Sequence, residues 1–339
     1  MSDTKIGVRA RFPAGNRGQA LCSCGKSGSD PDFFGRREVL KAAMAGFIGA
    51  TCPGIASRAF AADIDVVKIN ERFALVVGAG GNVLVRHGDN GQVLVDTGSA
   101  EHAASLRDAL ASLAGAGRVE LAFNTHWHPE QTGSNGALGQ AGATLVAHAK
   151  TRQRLAIGYY VPHEDRFEPA VPADAVPTET FHDRGERLVD GERIEYGYLL
   201  EAHTDGDIYV YFRDSNVIAV GDALSPARDP EIDWFGGGWL GGRVDALALL
   251  LELVDDETIV VPSYGPVVRK ADIAAEHGLM QTLFERTTTL LRQGYSADDM
   301  LAAGVLADLP RTFADPLKFL YDVHKSLWAH HNTISHDIV

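Results

Sequence analysis

Two histidines one residue apart lie in the segment NTHWHPEQTGSN, residues 124–135. His126 and His128 come directly after VELAFNT, a run typical of a buried strand that ends at Thr125. Glu130 comes two residues after His128. Alternate side chains of extended backbone point to the same side, so both imidazoles can face one cation. Because any exposed loop can contain two histidines, the pair predicts a metal site only together with ligands from elsewhere in the chain.

Further polar side chains follow later apolar runs. His203 and Asp205 lie in AHTDGD, Asp222 in VGD and Tyr264 in VPSYGP, each at the end of a predicted strand. Strand ends can hold imidazole nitrogens and carboxylate oxygens rigidly and still leave one position for water. This order of motifs favours a metal site over a set of solvated loops.

The first 62 residues are typical of an export signal. Arg36 and Arg37 precede an apolar run, and SRAFAAD offers small residues for cleavage near Ala61 or Ala62. A membrane anchor or a disordered tail is the alternative, but the run is broken by Lys, Gly and Pro and is shorter than the roughly 20 apolar residues of a span. We therefore expect a twin-arginine signal, recognition by the twin-arginine export machinery, no stable membrane insertion after cleavage, and a periplasmic or secreted protein.

Removal of residues 1–62 would change the charge and the cysteine content. The remaining chain would hold 22 basic and 41 acidic residues, a formal charge of −19, and none of the three cysteines. An acidic surface repels phosphate backbones, so we expect a small-molecule substrate and no nucleic acid partner. Without thiolates, a metal would have to be held by histidine and carboxylate.

The pattern beyond residue 63 alternates strands with helices. Short apolar, β-branched runs predict strands at 73–77, 82–87, 92–96, 119–125, 143–148, 193–203, 207–214, 216–224 and 258–265, and helices at 100–113 and 244–254. Residues 158–177 hold four prolines and no period, which predicts a surface flap. Strands followed by helices, twice over, predict two packed sheets with helices outside. The helices predicted within 269–339 would cover this sandwich or form a contact between copies of the chain in a homo-oligomer.

The motifs and their order resemble the metallo-β-lactamase superfamily, from about Phe73 to Val267. The matching segments are VDTG at Asp96, THWHPEQTGSN, HTDGD, the pair Gly221-Asp222 and PSYG. The resemblance implies an α/β fold, a four-layer αββα sandwich over residues 63–268 with a C-terminal helical extension over 269–339. It also implies a metal-dependent hydrolase.

The family's three-histidine metal position maps onto His126, His128 and His203, all of which are present. The resemblance implies that Asp222 lies close enough to be a fourth ligand or to hold the metal's water. Asp96 would buttress the ligand loop, although an aspartate that forms a turn would look the same.

The family's second metal position is altered in this chain. It maps onto Glu130, Gln131, Asp222 and Tyr264, and only Asp222 is the residue that the family uses. A neutral amide and a phenol are poor zinc ligands beside imidazole. We therefore predict one tightly held ion, zinc in preference to iron.

One metal would suffice for hydrolysis of an ester, lactone, thioester or amide. Glu130 or Asp222 would take the proton of the attacking water, and Tyr264 would donate a hydrogen bond to the oxyanion or merely fill space. Two alternatives stay open. The protein could be catalytically silent and bind a metal or ligand, or it could hold iron on His126, His203 and Asp222, as in the persulfide dioxygenases of the same superfamily.

Two segments are candidates for the substrate wall. SPARDPEIDWFGGGWLGG, residues 225–242, places Trp234, Phe235 and Trp239 around three consecutive glycines. The flap with Tyr159 and Tyr160 is the second candidate. Aromatic area on flexible backbone is typical of a loop that covers substrate, but the same residues could equally pack on the core.

Overall fold

Two β-sheets carry the fold in the computed structural model, which describes residues 64–114, 118–161 and 165–334. The first sheet has the order β1-β2-β3-β4-β5-β6-β9. Its strands are β1 (Asp65–Lys68), β2 (Phe73–Val77), β3 (Val83–His87), β4 (Gln92–Val95), β5 (Val119–Phe123), β6 (Thr144–His148) and β9 (Glu179–Phe181). The strands from β1 to β4 pair antiparallel, whereas β4, β5, β6 and β9 run parallel.

The second sheet has the order β10-β11-β12-β13-β14. Its strands are β10 (Arg184–Val189), β11 (Glu192–Tyr198), β12 (Ile208–Phe212), β13 (Val217–Gly221) and β14 (Ile259–Pro262). Only β13 and β14 pair parallel within it. The helices are α1 (Ala103–Ala111), α2 (Pro129–Thr132), α3 (Asn135–Gln140), α4 (Ala149–Ala156), α5 (Leu240–Leu253), α6 (Lys270–Arg292), α7 (Ala297–Ala302) and α8 (Pro316–Ile334).

Alternation along the strands produces three apolar cores and hence four layers. In β12, Ile208 and Phe212 face the first sheet, where the Phe212 ring meets Phe73 at 4.9 Å, while Tyr209 faces the opposite way. The outer face of the first sheet packs on α1 through Leu106. The outer face of the second sheet packs on α5, α6 and α8. This is the αββα sandwich that the resemblance implied.

The helices after β14 belong to the third core. Met280 and Leu283 of α6 and Leu320 of α8 are fully buried in one cluster with Leu247 of α5. Burial of apolar surface at about 25 cal/mol per Å² makes these contacts a main source of stability for this side of the molecule. The C-terminal helices thus cover the second sheet, and they reach the rim of the site described below.

Several predicted boundaries differ from the structure. The flap at 158–177 was predicted without strands, but it contains the hairpin of β7 (Tyr159–Val161) and β8 (Arg166–Glu168), joined through residues 162–164, which lie outside the described chain. The strand predicted at 193–203 ends at Tyr198. Strand β10 was not predicted, because RGERLV holds few apolar residues and no residue of it is buried.

The predicted export signal lies outside the described residues. Within residues 64–114, 118–161 and 165–334, no helix combines the length and the apolar character needed to cross a bilayer.

Candidate metal centre

The predicted site residues gather at the ends of strands from both sheets. His126 and His128 lie between β5 and α2, and His203 lies in the connection from β11 to β12. Asp222 directly follows β13 and Tyr264 follows β14. Asp205, which follows His203 by two residues, is not part of this group and pairs with Arg154 at 2.8 Å.

The three histidines converge. Their nearest ring nitrogens all lie within 4.8 Å of one another, and each pair of rings has centroids 4.8 Å apart. His203 Nε2 lies 3.2 Å from His128 Nδ1. His126 and His203 are completely buried, whereas the His128 side chain keeps 18% of its surface exposed. The arrangement is therefore open to solvent on the His128 side only.

Each histidine is held through its other ring nitrogen. His126 Nδ1 contacts the Thr125 hydroxyl at 3.1 Å, His128 Nε2 contacts Asp233 at 3.1 Å, and His203 Nδ1 lies 2.9 Å from the main-chain oxygen of Glu231. Such partners fix the tautomer and the orientation of a metal-binding imidazole. The inner nitrogens are left to face one another.

This donor set fits a metal ion. The buried Nε2 of His126 has no hydrogen-bond partner among the described residues. Burial, reinforced by the neighbouring imidazoles, holds the pKa of His126 well below its usual range, so the ring is neutral and its lone pair is available. Burial also opposes protonation of His128, but the hydrogen bond to Asp233 together with the nearby carboxylate charges outweighs it and raises the pKa of His128. The group His126, His128 and His203 could hold a metal ion.

Asp222 lies beside two of the three histidines. Its Oδ2 is 3.6 Å from His126 Nε2 and 3.9 Å from His203 Nε2, and the residue is 3% exposed. The preceding Gly221 has φ 58°, and a Cβ there would lie 2.9 Å from the Thr125 side chain. The glycine of this motif is therefore required both by the backbone and by the close approach of the His126 loop.

Asp96 supports the His126 loop through hydrogen bonds to Thr125. It accepts hydrogen bonds from the Thr125 N–H at 2.7 Å and from the Thr125 hydroxyl at 2.8 Å. It adopts the left-handed conformation with φ 64°, and burial raises the pKa of its carboxyl well above the usual range. The side chain thus ties the end of β4 to the residue that precedes His126.

Three predicted residues remain, and they are Tyr264, Gln131 and Glu130. Burial and the Asp222 carboxylate raise the pKa of Tyr264 to about 12, so this phenol remains protonated at physiological pH. The main-chain oxygen of Gln131 accepts from Thr97 N–H at 2.9 Å, which places Gln131 in the frame of the loop. Glu130 lines the cavity beside His128 but is not part of the converging group.

A cavity of about 570 Å³ opens beside His128. Its aromatic lining consists of Trp127, Tyr159, Trp234, Phe235 and Tyr321. Of the aromatic residues predicted for the substrate wall, Trp239 does not line the cavity. It packs on Phe284 and His330, with ring centroids 5.9 Å and 4.0 Å away. Tyr321 lies on α8, so the C-terminal helices supply part of the cavity wall.

Sequence reasoning missed several charged residues around the centre. Among them are Arg228, Glu231, Asp233 and Arg243, which lie between Asp222 and the middle of α5. Arg243 is completely buried and donates to the main-chain oxygen of Asp222 at 2.7 Å, to Ser225 at 2.8 Å and to Glu276 of α6 at 2.6 Å. For the first three of these residues, the available signal was the density of charge in RDPEIDW, residues 228–234, five residues after the GD motif.

Comparisons with known proteins agree with this architecture. A family model described as the metallo-beta-lactamase superfamily matches residues 77–263, more than half of the chain. A metallo-beta-lactamase from Pontibacter korlensis superposes with a TM-score of 0.52 at 19% identity, covering 64% of this chain and 99% of that one. The DIM-1 metallo-beta-lactamase gives 0.51 at 20% identity, covering 65% of this chain and 98% of that one.

A third solved structure covers more of this chain. The stereoselective inverting sec-alkylsulfatase Pisa1 from Pseudomonas sp. has a TM-score of 0.59 at 15% identity, over 79% of this chain and 50% of its own. At such identities the likeness concerns the fold alone. A comparison with curated proteins gives no match.

Proposed function

Since the chain belongs to the metallo-beta-lactamase superfamily, we propose that it is an exported single-metal hydrolase of an ester, lactone, thioester or amide bond. Family membership and the histidine group support a metal-dependent hydrolase in general. The observation that carries the proposal is the convergence of three imidazoles, each oriented by its own outer partner.

His126, His128 and His203 would hold the ion, which we propose to be zinc. A bound zinc ion supplies a water of pKa about 7 and polarises a carbonyl. Asp222 supports proton transfer, because its Oδ2 faces His126 and His203 and can accept the proton of the attacking water. Glu130 lines the cavity mouth and is the second candidate for this proton.

Tyr264 supports stabilisation of developing negative charge. Its pKa of about 12 keeps the phenol a hydrogen-bond donor at the pH where the hydrolase would work. The aromatic cavity beside His128 supplies apolar contact area next to the reacting bond, which favours substrates with an apolar or aromatic group.

A metal-dependent substrate panel tests the proposal. Protein comprising residues 63–339 is assayed with aryl esters, lactones, thioesters and amides, before and after chelation and after return of zinc. We expect hydrolysis of at least one class, its loss on chelation, its recovery with zinc, and its absence in His126→Ala at unchanged circular dichroism. Background rates throughout in zinc-loaded protein would instead support a silent metal-binding protein, and oxygen uptake by iron-loaded protein with glutathione persulfide would support a dioxygenase.

Export is proposed from Arg36 and Arg37. Replacement of both by lysine is expected to keep the protein in the cytoplasm of the producing cell, as measured by fractionation and immunoblotting. Arg11→Lys/Arg17→Lys, ahead of the arginine pair, is the matched control and should leave export unchanged. Normal export of the double lysine variant would contradict a twin-arginine route.

A further inference from the structure

Arg228 occupies the side of Asp222 that faces away from the histidines. Its guanidinium donates to Asp222 Oδ1 at 2.9 Å and lies over the Tyr264 ring, with the central carbon 3.5 Å from the ring centroid. Glu231 is a second acid beside it, at 3.6 Å. Each oxygen of Asp222 therefore has its own neighbour, the guanidinium for Oδ1 and two imidazoles for Oδ2.

The backbone around Arg228 is fixed from two directions. Its main-chain oxygen accepts a hydrogen bond from Arg311, which also pairs with Glu276 at 3.7 Å. On the other side, a Cβ on Gly265 would lie 2.6 Å from the Ala227 side chain, so the Tyr264 turn and the Arg228 segment are in direct contact. These contacts fix the backbone from which the guanidinium reaches the Tyr264 ring.

The groups on this side of Asp222 suit a cation that is part of the chain. Tyr264, whose ring lies under the guanidinium, offers a phenol and no imidazole. A guanidinium keeps its charge at every physiological pH and pairs well with carboxylates and aromatic faces. A divalent ion bound to Asp222 on this side would meet the guanidinium charge within a few ångströms, beside a carboxylate that is only 3% exposed, so the two cations would repel each other.

We propose that the Arg228 guanidinium is a built-in cation that fills the place beside Asp222 and Tyr264 and so limits the centre to one metal ion. The proposal deepens the single-metal function above and rests on it. It predicts that replacing the Tyr264 phenol by an imidazole will not by itself create a second metal site, because the guanidinium must be removed as well.

The metal content of four variants tests this. Tyr264→His offers an imidazole in place of the phenol but retains Arg228, and the double variant Arg228→Ala/Tyr264→His removes the guanidinium too. Arg228→Lys/Tyr264→His keeps a positive charge. Arg213→Ala/Tyr264→His is the matched control, because Arg213 also bonds a carboxylate, Glu195, at 2.5 Å and lies over a tyrosine ring, Tyr211, at 4.1 Å.

Each folded protein is equilibrated with zinc or cobalt and desalted, its metal is measured by elemental analysis, and its cobalt spectrum is recorded. We expect one equivalent in Tyr264→His, in the lysine variant and in the Arg213 control, and two equivalents with a new cobalt absorption only in Arg228→Ala/Tyr264→His. Two equivalents in Tyr264→His alone, or one in the double alanine variant at a melting temperature equal to that of Tyr264→His, would overturn the proposal. The single-metal function is judged separately, from the metal content of the unaltered protein. The Arg228 proposal concerns only the difference in metal content between the variants.

Discussion

The two carboxylate oxygens of Asp222 face different groups. On the Oδ2 side, three imidazoles converge and their outer nitrogens are held by Thr125, Asp233 and the main chain of Glu231. On the Oδ1 side, a guanidinium of the chain lies over a phenol. One carboxylate thus faces a histidine group that could hold a metal ion and, on its other oxygen, a cation that belongs to the chain.

Both sides require that Asp222 keep its position. Arg243 supports that position by donating to the main-chain oxygen of Asp222. Arg243→Met leaves Glu276 buried without its closest partner, so we expect the free energy of unfolding to fall by about 3–5 kcal/mol. Urea unfolding measures this. Lys68→Met, which breaks the exposed pair with Glu71, is the control and should leave the free energy of unfolding nearly unchanged. A loss as small for Arg243→Met would mean that the buried pair does not support the Asp222 loop.

The role of the Oδ1 side in chemistry is tested at Tyr264. Tyr264→Phe removes the proposed hydrogen bond to the oxyanion and keeps the ring, so kcat should fall roughly 100-fold. Because the pKa of Tyr264 is about 12, the phenol does not ionise at mildly alkaline pH, and the alkaline limb of the rate profile should not move. Tyr211→Phe, which loses a buried hydroxyl bonded to Asn216 at 2.6 Å, should leave kcat unchanged. Equal rates for Tyr264→Phe and the parent protein would reduce Tyr264 to a packing residue.

The smallest expected effect concerns an outer partner on the imidazole side. Asp233→Asn keeps the shape of the contact with His128 but removes its charge, and zinc affinity should fall about 10-fold, near the lower end for such partners, since water reaches this pair. Competition with a chromophoric chelator measures the affinity. Asp229→Asn, in the same segment but bonded to the N–H groups of Ala314 and Asp315, should leave it unaltered. A loss equal in both variants would point to the segment as a whole instead of to Asp233.

The sequence predicted the parts of the site that carry a regular pattern. HxH after an apolar strand, His203 before a small turn and Asp222 after glycine each had a neighbouring strand to place them, and the family resemblance supplied the layers. The structure brings His126, His128 and His203 together as the motifs implied. Their use as metal ligands stays a prediction.

The residues that orient the centre could not be predicted in the same way. Asp233 and Arg228 lie in a connector where charged side chains are usually solvated, and nothing in their spacing distinguishes a buried partner from an exposed one. Trp234 and Trp239 show the same ambiguity, because one lines the cavity and the other stacks on His330, although both stand beside glycines. Only the tertiary fold decides such cases.

The bond between Arg243 and Glu276 links the support of Asp222 to a helix that comes later in the chain. Every candidate metal ligand precedes α6 in the chain, yet Glu276 on that helix completes the buried support of Asp222. While the ribosome is still translating the residues before α6, the histidines can emerge but the carboxylate beside them is not yet anchored. Loading of the centre is therefore expected to follow release of the helical C-terminal part, as a late event in maturation rather than a nucleus for folding.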